Sequence, residues 1–274
     1  MSLYNAIRQR TDLLTSTIQK HLFDDFFLTF EPATSNSTWY TTTKETLPLA
    51  CRRLLILDSS FNPPTKAHAA LLKKALQAHP SNYFDASLLL FSSKNADKEL
   101  TARRKATSSL GCPVYVGLTR HAKFIDKATS IQQWYHHNQQ HPSSSSSSSS
   151  SSPLELHFIL GYDTVTRLLE PKYYQPLTVK QALDPFFSHC YLICADRPGF
   201  ADDTTTTSFW QSDLVRGYAD KITRISLEDQ GDIATVSSTL ARKAAAATKD
   251  PYQALVKFVD EAVADYVVGE KLYQ

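Results

Sequence analysis

Residues 52–76 read RRLLILDSSFNPPTKAHAALLKKAL, and three kinds of local structure follow one another inside them. Leu54–Leu57 is an apolar run of four bounded by charge. Such a run predicts a strand of a parallel sheet, buried on both faces. Asp58, Ser59, Ser60, Asn62 and the pair Pro63-Pro64 predict a turn. Thr65 is placed to cap the helix that follows, with His68 in its first turn. A strand, a turn and a helix N-terminus in this order make an anion site, because unpaired amides and the positive end of the helix dipole face whatever sits there.

The same residues carry a resemblance. Ser60-Phe61-Asn62-Pro63-Pro64-Thr65-Lys66-Ala67-His68 resembles the GSFNPxTxxH form of the nucleotidyltransferase (T/H)xGH signature, as found in the nicotinamide/nicotinate mononucleotide adenylyltransferase family. Ser59 stands where that family has Gly, and Ala67 where many members have Gly. The first change is expected to tighten the space near a phosphate.

Late in the chain, Val236-Ser237-Ser238-Thr239-Leu240-Ala241-Arg242 is similar to the family's (I/V)SSTxxR signature. The residues explain themselves physically. Ser238 or Thr239 is expected to cap a helix over Leu240–Ala247, its hydroxyls and amides facing phosphate oxygens. Arg242, one turn in, points back to the same anion. Alone, SSTLAR is also an ordinary capping sequence; its weight comes from occurring with the first motif and in this order.

Further strands are predicted at Phe84–Ser92, Pro113–Gly117, Leu156–Leu160, Cys190–Ala195 and Ile222–Leu227. Helices are predicted at 2–30, 100–110, 122–135 and 164–169, with one closing amphipathic helix over 251–273. The alternation gives an α/β fold with a Rossmann-like parallel sheet flanked by helices, of nucleotidyltransferase type. Residues 1–50 read as a helical extension and loop, and 51–274 as the nucleotidyltransferase domain. The ten serines of 143–152 read as a disordered insertion in a surface loop, since they bring no apolar surface to offset the entropy of ordering.

In an open parallel sheet, ligands bind beyond the carboxyl ends of the strands. Lys94 and Lys98 follow the second strand, as phosphate contacts or as a solvated loop. Gly161 and Asp163 follow the third, where the family has Gly-x-Asp on its adenosine side. Gly161 allows close backbone approach, and Asp163 either accepts from ribose hydroxyls or caps the next helix. Arg197, in Asp196-Arg197-Pro198-Gly199, resembles the family's Arg-x-Gly. Trp134 stands as a counterpart of the family's nicotinamide-stacking Trp, or else as a packing residue.

The chain has 274 residues, 42% hydrophobic, and a net charge of +2, so no broad basic field for nucleic acid is implied. No 18-residue apolar run predicts a membrane span. The four cysteines lack CxxC spacing, which suits buried thiols in a reducing compartment, cytoplasmic or nuclear, and no protein metal site. No Walker A or GxGxxG sequence is present.

The resemblance, to a divergent branch of fungal type, implies adenylyl transfer. The phosphate of nicotinamide mononucleotide attacks the α-phosphorus of ATP, and NAD and pyrophosphate form with Mg²⁺ accompanying ATP. It implies catalytic roles for His68, Thr65 and Arg242. It implies phosphate contacts from Ser60, Phe61, Lys94, Ser238 and Thr239, and nucleoside contacts from Gly161, Asp163 and Arg197. Trp134 would face the mononucleotide. Two alternatives stay open here: transfer to another phosphorylated acceptor, and a nucleotide-binding regulatory protein with a weakened site.

Overall fold

A computed structural model of the chain describes residues 24–32, 39–40, 52–92, 112–139, 153–196 and 204–273. Seven strands form one sheet: β1 (Phe26–Phe30), β2 (Arg52–Asp58), β3 (Ala86–Ser92), β4 (Val114–Thr119), β5 (Leu154–Gly161), β6 (Cys190–Asp196) and β7 (Ile222–Ser226). Their spatial order is β1-β4-β3-β2-β5-β6-β7. All neighbours pair in parallel except β1 with β4, which is antiparallel. The chain therefore builds outward from β2 through β3 to β4, then returns to place β5 on the other side of β2. The order reverses between β2 and β5, and a crevice at their carboxyl ends is the geometric consequence.

Both faces of the sheet are covered, which is why LLIL reads as a continuous apolar run instead of alternating. Leu54 and Ile56 pack on one face with α2 (Phe124–Gln139), α3 (Tyr162–Leu168) and α4 (Val179–Phe187). Leu55 and Leu57 pack on the other with Leu72 and Ala75 of α1 (Lys66–Gln77). The buried alanines Ala67, Ala70 and Ala75 let α1 lie close to the sheet. Two short helices, α5 (Thr204–Gln211) and α6 (Asp213–Arg216), link β6 to β7. A third apolar cluster is built by α7 (Ser238–Ala246), α8 (Pro251–Leu255) and α9 (Glu261–Gly269).

Three expectations change. The helix read over 2–30 does not extend to Phe26–Phe30, which is strand β1; residues 2–23 lie outside the described residues. FFLTF is aromatic and β-branched, a composition that suits a pleated edge better than a helix. The partner strand accommodates it with Gly117, where a Cβ would stand 2.7 Å from the Phe26 ring. Since β1 belongs to the main sheet, a boundary at residue 50 would cut through that sheet. The closing helix of 251–273 is two helices, because Asp250 and Asp260 each cap a separate start by accepting from Gln253 and Ala262 amides. The helix expected at 100–110, Lys98 and the serine run 143–152 lie outside the described residues.

Candidate active site

The turn after β2 is organised by His68. Its ring Nδ1 accepts from the Thr65 backbone N–H at 3.0 Å and lies 2.8 Å from Thr65 Oγ1. Thr65 is the N-cap of α1, and the pair is a capping box with histidine in the place usually held by Glu or Gln. The T-x-x-H spacing is thus capping-box spacing. Because Nδ1 accepts, the ring proton resides on Nε2, which donates to Ser59 Oγ at 3.0 Å. Burial lowers the His68 pKa to about 4, so the free protein holds a neutral imidazole whose donor is Nε2–H.

The rest of the loop is held from below and from the side. Phe61 adopts φ +43°, a left-handed conformation uncommon for a bulky residue. Its buried ring packs 4.9 Å from His68 and 4.6 Å from Phe91, so the side chain serves the core and the substrate side is left to the backbone. Ser60 is exposed.

The second motif docks on the first. Arg242 Nη1 donates to the Asn62 carbonyl, and Ser238 Oγ donates to the Pro63 carbonyl at 2.8 Å. Thr239 Oγ1 accepts from Arg242 Nη2 at 3.2 Å, which fixes the guanidinium fork. The cap of α7 is Ser237, accepting from Leu240 N, and not Ser238 or Thr239 as expected. Capping by the earlier serine leaves the next two hydroxyls for the loop and for Arg242. The segments around α8 and α9 complete the clasp. Phe258 O accepts from the Lys66 amide at 2.9 Å, Val256 O from Lys66 Nζ at 2.6 Å, and Tyr273 Oη donates to Asn62 Oδ1.

Across the crevice, Gly161 ends β5 and caps α3, with open space where a Cβ would stand. Asp163 lies in the first turn of α3 and is not its cap, since the helix starts one residue before it. Tyr162, the residue after Gly161, packs against Phe209 and Trp210, with Arg224 Cζ 4.7 Å from the Trp210 ring centroid. Trp134 is not brought here. It sits on the face opposite α1, packed against Phe26, Trp39 and Tyr40 with ring centroids 4.9–5.9 Å apart. Lys94 and Arg197 lie outside the described residues.

Two features were missed by sequence reasoning. The hydroxyl of Ser59, read there only as a crowding change, is the partner of His68 Nε2. Asp58, at the end of β2, forms a buried ion pair with Lys127 of α2. Its signal was a lysine one turn before Ile131 on an inward helix face.

The two motifs meet at the reversal point of a doubly wound α/β sheet. No family model matches the chain. Over 175 residues it is 32% identical to a Schizosaccharomyces pombe protein provisionally named nicotinamide mononucleotide adenylyltransferase, a match covering 59% of this chain and 59% of that protein. The chain thus spans less than two thirds of that relative's length. Among solved structures it is similar to Plasmodium falciparum nicotinic acid mononucleotide adenylyltransferase complexed with NaAD, with TM-score 0.52 and 17% identity, covering 81% of this chain and 97% of that one. The same enzyme complexed with APC gives TM-score 0.51 and 14% identity over the same shares. These structures share the fold.

Proposed function

We propose that this chain joins nicotinamide mononucleotide to the AMP moiety of ATP, forming NAD and releasing pyrophosphate. The observation that carries this reading is the docking of Ser238 and Arg242 on the carbonyls of Asn62 and Pro63, which makes one anion site of two distant motifs. The named relative from fission yeast supports the choice of acceptor.

In this reading the mononucleotide phosphate displaces pyrophosphate directly from the α-phosphorus, a reaction that needs positioning and charge neutralisation more than acid–base groups. His68 exchanges its Nε2–H bond from Ser59 Oγ in the free protein to the reacting and leaving oxygens. An anion at that point raises the pKa of the imidazole from its low resting value and strengthens the bond as charge develops. Thr65 holds the tautomer. Arg242, Thr239 and the Ser238 backbone amide face the β- and γ-phosphates, with Ser60, Lys94 and the backbone at Phe61 on the phosphate side. Gly161, Asp163 and Arg197 take the nucleoside. Mg²⁺ enters as part of MgATP: hydroxyls, an imidazole and a guanidinium suit phosphate oxygens. Buried Cys190 and Cys194 suit a reducing compartment, and we place the reaction in cytoplasm or nucleus. No helix among the described residues is long and apolar enough to cross a membrane.

The test offers MgATP with nicotinamide mononucleotide, nicotinate mononucleotide or phosphopantetheine, and identifies products by mass spectrometry. NAD as the preferred product supports the reading. A product formed only with the non-pyridine acceptor, or none with any, overturns it.

A further inference from the structure

The Asp58–Lys127 pair lies at the carboxyl end of β2, and the catalytic roles assigned above do not use it. Its side chains are 9% and 5% exposed, and the Lys127 ammonium is 4.9 Å from the Phe124 ring centroid. Two charges taken out of water at this depth contribute little net stability, because desolvation offsets most of their attraction. A well-packed apolar pair would fold as well. Something other than stability is the better explanation of a charge pair here.

Its position supplies one. Along β2, Leu54 and Ile56 face α2, and Leu55 and Leu57 face α1. The alternation continues past the apolar run. Asp58 takes the next place on the α2 face and bonds Lys127; Ser59 takes the next place on the α1 face and accepts from His68 Nε2. The carboxyl end of β2 is thereby pinned from both faces at successive residues. On its third side, Ser59 N donates to Leu90 O of β3 at 3.2 Å. Movement of Asp58 carries the Ser59 hydroxyl with it, and the donor direction of His68 follows that hydroxyl.

We propose that Asp58 and Lys127 are positioning residues that fix Ser59 as the resting partner of His68 Nε2–H, and so hold the imidazole in the orientation from which it turns its donor to the reacting phosphate. The inference rests on His68 acting in the reaction proposed above. It extends that reading by assigning the carboxyl end of β2 a part in turnover.

Single substitutions strand a buried charge and are expected to unfold the protein or weaken it strongly. The informative variant is therefore the double Asp58→Ala/Lys127→Met, which removes both charges. It should fold with a thermal midpoint near that of the wild type. Its kcat for NAD formation should fall about 10- to 100-fold with KM for nicotinamide mononucleotide little changed, the signature of a misaimed group in an intact pocket. Lys127→Arg, which keeps a cation at the carboxylate, should rescue most of the loss. The second readout needs no activity. The ¹⁵N spectrum of His68 should show a protonated Nε2 in the wild type and a shifted Nε2 resonance in the double variant. A folded double variant with wild-type kcat overturns the proposal, and so does an unchanged His68 spectrum. If the wild type makes no NAD at all, the assigned reaction fails, and the spectrum alone decides whether the pair holds the ring.

Discussion

His68 and His157 are both held near pKa 4 by burial, yet their surroundings are opposite. His68 sits beyond the carboxyl end of β2 with each ring nitrogen engaged, by Thr65 on one side and Ser59 on the other. His157 lies inside β5, stacked on Tyr191 at 4.6 Å and met edge-on by Phe84 at 5.1 Å. Its Nε2 has no hydrogen-bond partner, and Glu155 Oε2 is 3.8 Å away, too far for a good bond. The nearby strand ends are fastened by Arg53–Glu155 and Arg52–Asp85 pairs at 2.9 Å. The lesson is that a perturbed pKa does not identify a functional histidine. The direction of its donors, and what converges on them, does.

The largest contrast should come from truncation. His68→Ala should lower kcat on the order of 1000-fold, as expected when a positioned donor to developing charge is removed. Stability should fall only as far as a lost capping contact requires, about 1 kcal/mol. Steady-state rates beside a melting curve check both, and an active His68→Ala enzyme breaks the comparison. Next, Arg242→Ala should reduce kcat/KM for ATP about 100-fold, since the guanidinium proposed to face the phosphates is lost and the 62–63 loop loses its brace. A loss confined to the mononucleotide's KM would contradict that placement.

The histidine in the sheet should instead report through pH. Its pKa is depressed to about 4 from 6.5, so the folded protein keeps it neutral while the unfolded chain takes up a proton below 6.5. Its share of stability is whole above pH 6.5 and is lost as pH falls toward 4, at up to about 1.4 kcal/mol per pH unit for one such residue. His68 adds to the same window. His157→Phe, which suits the aromatic neighbours, should flatten that slope and leave turnover at neutral pH unchanged. Denaturant midpoints at pH 5 and pH 7 measure it, and an unaltered slope counts against the assignment. The smallest effect belongs to Ser59→Ala: about 1 kcal/mol of lost hydrogen bonding, or roughly fivefold in kcat, with a stable fold. A faster Ser59→Ala enzyme would mean the hydroxyl crowds the phosphate instead of aiming the ring.

Much of this was legible beforehand for physical reasons. LLIL announced a strand covered on both faces, and T-x-x-H and SSTLAR announced helix starts, because capping chemistry is local. Phe26–Phe30 was misread because an edge strand depends on a partner far away, here Gly117 of β4. The shift of the α7 cap to Ser237 was invisible because three consecutive hydroxyl residues are locally equivalent, and only the distant Pro63 carbonyl tells them apart. Trp134 read either as a ligand-stacking or as a packing residue, and its aromatic neighbours come from β1 and residues 39–40. The Asp58–Lys127 pair joins residues 69 apart, beyond the reach of any periodicity.

The central claim is that two motifs far apart in sequence form one nucleotide site at the β2/β5 reversal. Amide hydrogen exchange with and without a non-hydrolysable MgATP analogue tests it most directly. The account predicts that added nucleotide protects residues 59–68, 161–163 and 236–242 together, with the region around His157 unchanged. Protection confined to one of the two motifs, or appearing around His157 instead, would contradict it.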